Sequence, residues 1–203
     1  MSVKGAVAGF VEAFRADFNF YEKYGAKYHK DHVTQAKVAG ALVTKIGLQM
    51  SAGIRLMQAL DAANIPVAPQ VVCRLIRHLY SAEIHWKAKI APGVSIVHGN
   101  GLVISRDATV GPGCILFHNV TLGRGIDPDT RAVGAPTLGA NVHVGPGATL
   151  IGPIHIGDGS KIMAGAVVTE SVPDNSLVRS VPITVSARGN GASENMSTDL
   201  EQS

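Results

Sequence analysis

From Ile84 to Val168 the chain places an aliphatic residue at the start of every six-residue unit: Ile84, Ile90, Ile96, Ile104, Val110, Leu116, Leu122, Leu138, Val144, Leu150, Ile156, Ile162 and Val168. All thirteen are Ile, Leu or Val, and glycine follows directly in five units, at Gly111, Gly123, Gly139, Gly145 and Gly157. The fifth position of a unit is usually small, as at Ala88, Ala108, Cys114, Ala148, Ser160 and Ala166. A period of six belongs to neither a plain helix nor a plain strand. It fits a β-helix: each unit gives a short strand and a turn, the aliphatic side chain points into a narrow core, and small residues relieve crowding where the chain turns. An antiparallel sandwich would instead show period two with turns roughly every 8–12 residues. The expected fold is therefore mainly β, a parallel β-helix of hexapeptide repeats over residues 81–182 behind an α-helical region over residues 1–80.

Within the first 80 residues, apolar positions at helical spacing predict helices near Val3–Phe18, His32–Ala63 and Pro69–Tyr80. The break between the last two is "ANIPVAP", because proline disfavours helix in itself and in its predecessor. Val38–Leu60 is apolar but interrupted by Lys45, Gln49, Arg55 and Gln58. A membrane span needs about 20 mostly apolar residues, so this segment reads as a buried or trimer-facing amphipathic helix. The six-residue register breaks twice. Two extra residues lie between Ile96 and Ile104, just after His98 and Gly99, and ten lie between Leu122 and Leu138. A solenoid core cannot absorb insertions, so a loop over residues 123–137 should protrude, and such loops commonly carry ligand contacts. Residues 183–203 are small and polar and read as a flexible tail.

Composition narrows the function. Hydrophobic residues reach 46% against 16% charged, which favours a packed fold over disorder. The net charge of +3 permits an anionic ligand, but no Lys/Arg cluster is interleaved with aromatics, so no nucleic-acid partner is expected. Cys73 and Cys114 have no CxxC partner and read as small buried residues of a reducing compartment. No His/Cys set has ligand spacing, so no metal is expected. The N-terminus lacks the pattern of a signal peptide, and a cytoplasmic protein follows as the expectation.

The repeats, the helical N-terminus and the run "EIHWKAKI…IVHGNGLVI…VTLG…VGPGATLIGPIHIGDGSKIMAGAVV…VP" resemble the serine acetyltransferase branch of the hexapeptide-repeat acyltransferases. The resemblance covers about Tyr80 to Pro182. It implies a left-handed parallel β-helix, a homotrimer, and acetyl-CoA as acyl donor in a groove between neighbouring subunits. The family pairs an acid in a "DIHP" motif with a histidine fifteen residues later in an "LDH" motif. The matching positions here are Glu83 in "EIHW" and His98 in "IVHG". The chemistry explains such a pair: a hydroxyl is a poor nucleophile until a base removes its proton, histidine suits that task near neutral pH, and a carboxylate orients the ring. His118 in "CILFHNVTLG" is the runner-up base or an acceptor contact. His85 adjoins the acid, and Trp86, in place of the family proline, is a candidate wall of the acceptor pocket. His143 and His155 fall in later coils and read as surface residues. For the donor, the resemblance implies main-chain contacts at Gly139, Ala140, Ala164 and Gly165 and a phosphate contact at Lys161. Gly123 is a candidate N–H donor to the thioester oxyanion.

The acceptor residues depart from the family. Where serine enzymes resemble one another in "DRHPKIG", this chain has "VGAPTLG", with Gly134 and Ala135 in place of the Arg and His that hold the substrate carboxylate. At the position of the acid preceding the catalytic histidine stands Val97, and Arg124 or Arg131 in the loop is the candidate replacement. The chain also ends "LEQS", without the terminal isoleucine by which serine acetyltransferases dock into their sulfhydrylase partner, so that docking is not expected. Taken alone, the residues suggest O-acetylation of a sugar or other small metabolite. Serine O-acetylation and a non-catalytic β-helix scaffold are the alternatives.

Overall fold

The computed structural model describes residues 1–28, 38–127 and 129–180. Three parallel sheets form the sides of a prism. The first stacks Glu83–Ile84, Val103–Ile104, Thr121–Gly123, Thr149–Ile151 and Val167–Val168. The second stacks Lys89–Ile90, Thr109–Val110, Thr137–Leu138 and His155–Ile156, and the third Ser95–Ile96, Ile115–Leu116, His143–Val144, Lys161–Ile162 and Leu177–Val178. All thirteen residues of the six-residue period face the interior, none more than 6% exposed. Each strand is only two or three residues long, so pairing between coils, not within a hairpin, satisfies the backbone.

Coil lengths show where the insertions go. Glu83 pairs with Val103, a step of 20 residues, and Val103 with Thr121, a step of 18. Thr121 pairs with Thr149, a step of 28, and Thr149 with Val167, again 18. The ten extra residues leave the prism as an antiparallel hairpin, Gly125–Ile126 against Val133–Gly134. At the corner between the second and third sheets, the left-handed position is held in every coil by glycine or asparagine: Gly93, Gly113, Asn141, Gly159 and Asn175 all have positive φ. A Cβ on Gly113 would lie 2.3 Å from Oδ1 of Asn141, so the glycine leaves room for the amide stacked on it.

Among the described residues four helices precede the prism: α1 (Val3–Tyr28), α2 (Val38–Thr44), α3 (Ile46–Ala62) and α4 (Ala68–Tyr80). The first extends beyond its expected end at Phe18, and the second expected helix is two, broken at Lys45. Its expected start at His32, the tail at 183–203 and Pro128 of the loop lie outside the described residues. Helix α3 lies across the first coil, with Met50, Ile54 and Met57 in the same core as Ile84, Ile90 and Ile96. The polar residues that interrupt this apolar segment anchor it. Arg55 uses all five of its N–H groups: two on the Asp17 carboxylate of α1 (2.7 and 2.9 Å), one on Gln58, and one each on the carbonyls of Ile90 and Ala91. Asp17 in turn accepts from the N–H groups of Gly93 and Val94. Arg55 and Asp17 are 3% and 1% exposed.

Cys114 is fully buried, and burial pushes its thiol pKa up to about 11, while Cys73, half-buried, donates its S–H to the Ile84 carbonyl. Among the described residues no helix is long and apolar enough to cross a membrane.

Two outcomes follow from this packing. Arg55→Ala leaves the Asp17 carboxylate buried without its partner and should cost about 3–5 kcal/mol, read from urea denaturation. The raised thiol pKa of Cys114 stabilises the fold fully below the ordinary thiol value of 9.0; that contribution is lost as pH rises towards about 11. Wild-type stability relative to Cys114→Ala should therefore fall across that window, as the difference in urea midpoints.

Candidate active site

His98 lies on the edge where the third sheet passes the chain to the first. Successive coils align there through main-chain bonds: Asn119 N donates to Asn100 O, Gly147 N to His118 O and Gly165 N to Pro146 O, at 2.8–3.0 Å. Asn100, His118, Pro146 and Ala164 thus form one column, and Val97 corresponds to Phe117 because Ile96 pairs with Leu116. His98 and Gly99 have no counterpart in the next coil. The two-residue insertion is His98–Gly99 itself, not the residues after it, and it puts the histidine on a bulge.

That bulge is under constraint. His98 has φ +67°, a left-handed conformation that costs a residue with a Cβ about 1–2 kcal/mol and persists only where the surroundings impose it. Helix α3 supplies those surroundings. A Cβ on Gly99 would lie 2.2 Å from Sδ of Met50, and a Cβ on Gly47 would lie 2.0 Å from the Ile96 carbonyl oxygen. Both glycines let the start of α3 press directly on the bulge.

Between this edge and the helices lies a cleft of about 760 Å³. The prism side contributes Ile96, Val97, His98, Asn100, Phe117 and His143; the helical side contributes Tyr21, Tyr24, Thr44, Lys45, Ile46 and Gly47. His98 is exposed to the cleft. Its ring meets the His118 ring edge-on, centroids 5.7 Å apart, and Nδ1 of His118 is buried with no hydrogen-bond partner among the described residues. His143, expected at the surface, stacks on Phe117 with centroids 5.2 Å apart and lines the cleft. Partial burial raises the Tyr21 phenol pKa. Tyr21, Tyr24, Lys45, Phe117 and His143 carry no local sequence signal for a site; docking of the helices on the prism brings them together.

The structure gathers His98, His118 and Val97, and places the other expected residues elsewhere. The Glu83 carboxylate is half-exposed and paired with the Arg77 guanidinium of α4, and among the described residues no hydrogen bond joins it to His98. His85 and Trp86 stack on each other, centroids 4.0 Å apart, at the corner between the first and second sheets and outside the cleft. Nδ1 of His85 accepts from the Lys87 N–H, and burial lowers its pKa, with Arg106 adding to the effect. Arg124 faces Asp107 at 3.7 Å on the surface of the prism, not the cleft. Ala135 is buried, and a Cβ on Gly134 would lie 2.9 Å from Cβ of Pro153, so this loop exit is packing rather than a carboxylate clamp.

The expected donor-binding positions occupy three different edges. Ala164 and Gly165 stand on the His98 edge, two coils beyond His118. Gly139 and Ala140 lie at the corner between the second and third sheets, where the Ala140 N–H already donates to Asp158 at 2.7 Å. Gly123 opens the protruding loop, its carbonyl accepting from Gly152 N–H, and Lys161 is exposed on the third sheet beside His143.

Residues 135–170 match the family model described as bacterial transferase hexapeptide (six repeats). Over 137 residues the chain is 39% identical to a serine acetyltransferase of Synechococcus elongatus, a match covering 67% of this chain and 55% of that protein. Over 122 residues it is 38% identical to a serine acetyltransferase of Helicobacter pylori, covering 60% of this chain and 70% of that one. The match thus spans just over half the length of the Synechococcus relative. A crystal structure of Neisseria gonorrhoeae serine acetyltransferase in complex with serine aligns with a TM-score of 0.74 at 24% identity, over 89% of this chain and 70% of that one. At that identity the likeness concerns the fold alone, and with the hexapeptide match it identifies the prism as a left-handed parallel β-helix.

Because Gly47 lets α3 reach Ile96, Gly47→Ala should destabilise the fold by about 1–3 kcal/mol, as overpacking does. It should also shift the imidazole proton resonances of His98. Gly40→Ala, where a Cβ meets nothing within 4 Å, is the control expected to leave those resonances in place.

Proposed function

Because the chain belongs to the serine acetyltransferase branch of the hexapeptide-repeat acyltransferases, we propose that it transfers an acetyl group from acetyl-CoA to the hydroxyl of a small acceptor. The observation that carries this reading is the two-residue bulge holding His98 in a left-handed conformation at the mouth of a cleft. A scaffold without catalysis has no need of such a bulge, since the later coils close the same corner without one.

In this reading His98 takes the proton of the acceptor hydroxyl as its oxygen attacks the thioester carbonyl. The tetrahedral intermediate then collapses, and the imidazolium returns the proton to the departing CoA thiolate. Glu83 enters as the carboxylate that orients the ring, which requires it to leave Arg77 or to bridge both groups. His118 is the second candidate for the base. The donor positions Gly123, Gly139, Ala140, Lys161, Ala164 and Gly165 sit on separate edges of one chain. A groove using Gly139 and Ala140 together with Ala164 and Gly165 needs an edge from a neighbouring subunit, which supports the homotrimer.

The relatives are named serine acetyltransferases, and that favours serine over the sugar or other metabolite suggested by the acceptor residues alone. Serine is therefore the first acceptor of this reading. A sugar or other uncharged acceptor is kept as the second on one observation: the buried Ala135 and the tightly packed Gly134 occupy the carboxylate-clamp positions.

The test follows free thiol released from acetyl-CoA. The wild-type chain should release it with serine, and His98→Ala should lower kcat by about 10²–10⁴-fold, the range of a lost general base, without changing the thermal unfolding midpoint. Full activity in His98→Ala with loss in His118→Ala would transfer the role to His118. Thiol release with a sugar but not serine would establish the second acceptor.

A further inference from the structure

The acceptor cleft carries one ammonium and no carboxylate among the described residues that line it. Lys45 sits at the break between α2 and α3. Its ammonium makes no hydrogen bond or ion pair among the described residues, as is true of several exposed cations of this chain; what sets it apart is that no other Lys or Arg among the described residues lines the cleft. The backbone position of Lys45 follows from the packing of the start of α3. Gly47, two residues on, lies against the Ile96 carbonyl with no room for a side chain, and Ile96 is two residues from His98. The contact that sets α3 on the bulge therefore also sets the backbone of Lys45 at the wall of the cleft across from His98.

Charge decides what such a cleft accepts. An unpaired ammonium in a partly enclosed space attracts a carboxylate or phosphate and opposes a second ammonium. Val97, at the position before the base, offers a methyl surface and no acid. The lining also offers uncharged polar groups, among them the Tyr21 hydroxyl, the Asn100 amide and the Thr44 hydroxyl, whose O–H already donates to the Gly40 carbonyl.

We propose that Lys45 is the acceptor-binding residue of this cleft, pairing with an acid group of the acceptor, and that the preferred acceptor is a small hydroxy acid for which an α-ammonium group is not required. The proposal rests on the acetyltransferase reading and refines its acceptor. Serine satisfies it through its carboxylate, and an amine-free hydroxy acid satisfies it better.

Thiol release is measured with serine, glycerate, glycerol and serinol, which present a zwitterion, an anion, a neutral polyol and a cation on similar skeletons. The expected order of kcat/KM is glycerate at or above serine, then glycerol, then serinol. Lys45→Met should raise KM for glycerate and serine about tenfold or more, the scale of a charge-assisted hydrogen bond, while kcat, KM for acetyl-CoA and turnover of glycerol stay within about twofold. Lys45→Arg should recover most of the loss. An unchanged KM for glycerate in Lys45→Met, or serinol turned over as well as glycerate, overturns the proposal. Calorimetric titration of glycerate into the wild type and Lys45→Met separates the two claims. Binding lost in the variant, with no thiol release from wild type, keeps Lys45 and overturns the transfer reading. Equal binding or no binding overturns the role of Lys45 whatever the transfer assay shows.

Discussion

The buried ion pair between Asp17 and Arg55 joins the two halves of the molecule. It connects α1 to α3, and through main-chain atoms of Ile90, Ala91, Gly93 and Val94 it ties both helices to the first coil. An ion pair withdrawn from water is favourable only when its remaining hydrogen-bonding capacity is met, and here every guanidinium N–H has an acceptor. Geometry set at Arg55 then propagates along a rigid helix. Eight residues towards the N-terminus, about 12 Å at the rise of an α-helix, Gly47 meets Ile96, with Met50 meeting Gly99 on the way. The helical region thus closes the end of the prism, imposes the backbone of His98 and forms the far wall of the cleft.

The prism was legible because its constraint is local and repeated. A narrow core admits only aliphatic residues at fixed intervals, and Ile84 through Val168 record that demand residue by residue. His98 was legible for the opposite reason, since it stands where the repeat fails. The cleft was not. Lys45, Tyr21 and His143 are spread over more than a hundred positions in sequence and meet only because α3 is clamped to one particular coil. The polarity of Arg55 within an apolar helix was visible, but its ionic partner lies on another helix and, Gln58 apart, its other acceptors are main-chain carbonyls, which no side-chain pattern records. His85, Trp86 and Arg124 are close to the expected site in sequence or in the loop, yet they sit at other corners of the prism.

The departures at Gly134 and Ala135 acquire a physical meaning in this setting. Gly134 lies against Pro153 of the following coil with no room for a Cβ, and Ala135 is buried, so the loop exit closes tightly where a clamp of charged residues would need room. The protruding hairpin is correspondingly held by its neighbours: a Cβ on Gly123 would meet Cδ1 of Ile151, and one on Gly125 would meet Cγ2 of the same residue. The one Lys or Arg among the described residues lining the cleft with His98 is Lys45, on the opposite wall.

The pairing of glycine with asparagine at the corner between the second and third sheets binds the fates of residues far apart along the chain. Asn141 occupies space that Gly113, 28 positions earlier, leaves open, and Asn175 stands in the same relation to Gly159, 16 positions earlier. An amide at Gly113 or Gly159 would have to be matched by a smaller residue one coil later. Drift at these corners should therefore occur in linked steps, and sequences of this kind should show covariation at separations of one coil, with the interval lengthened across the coil that carries the hairpin.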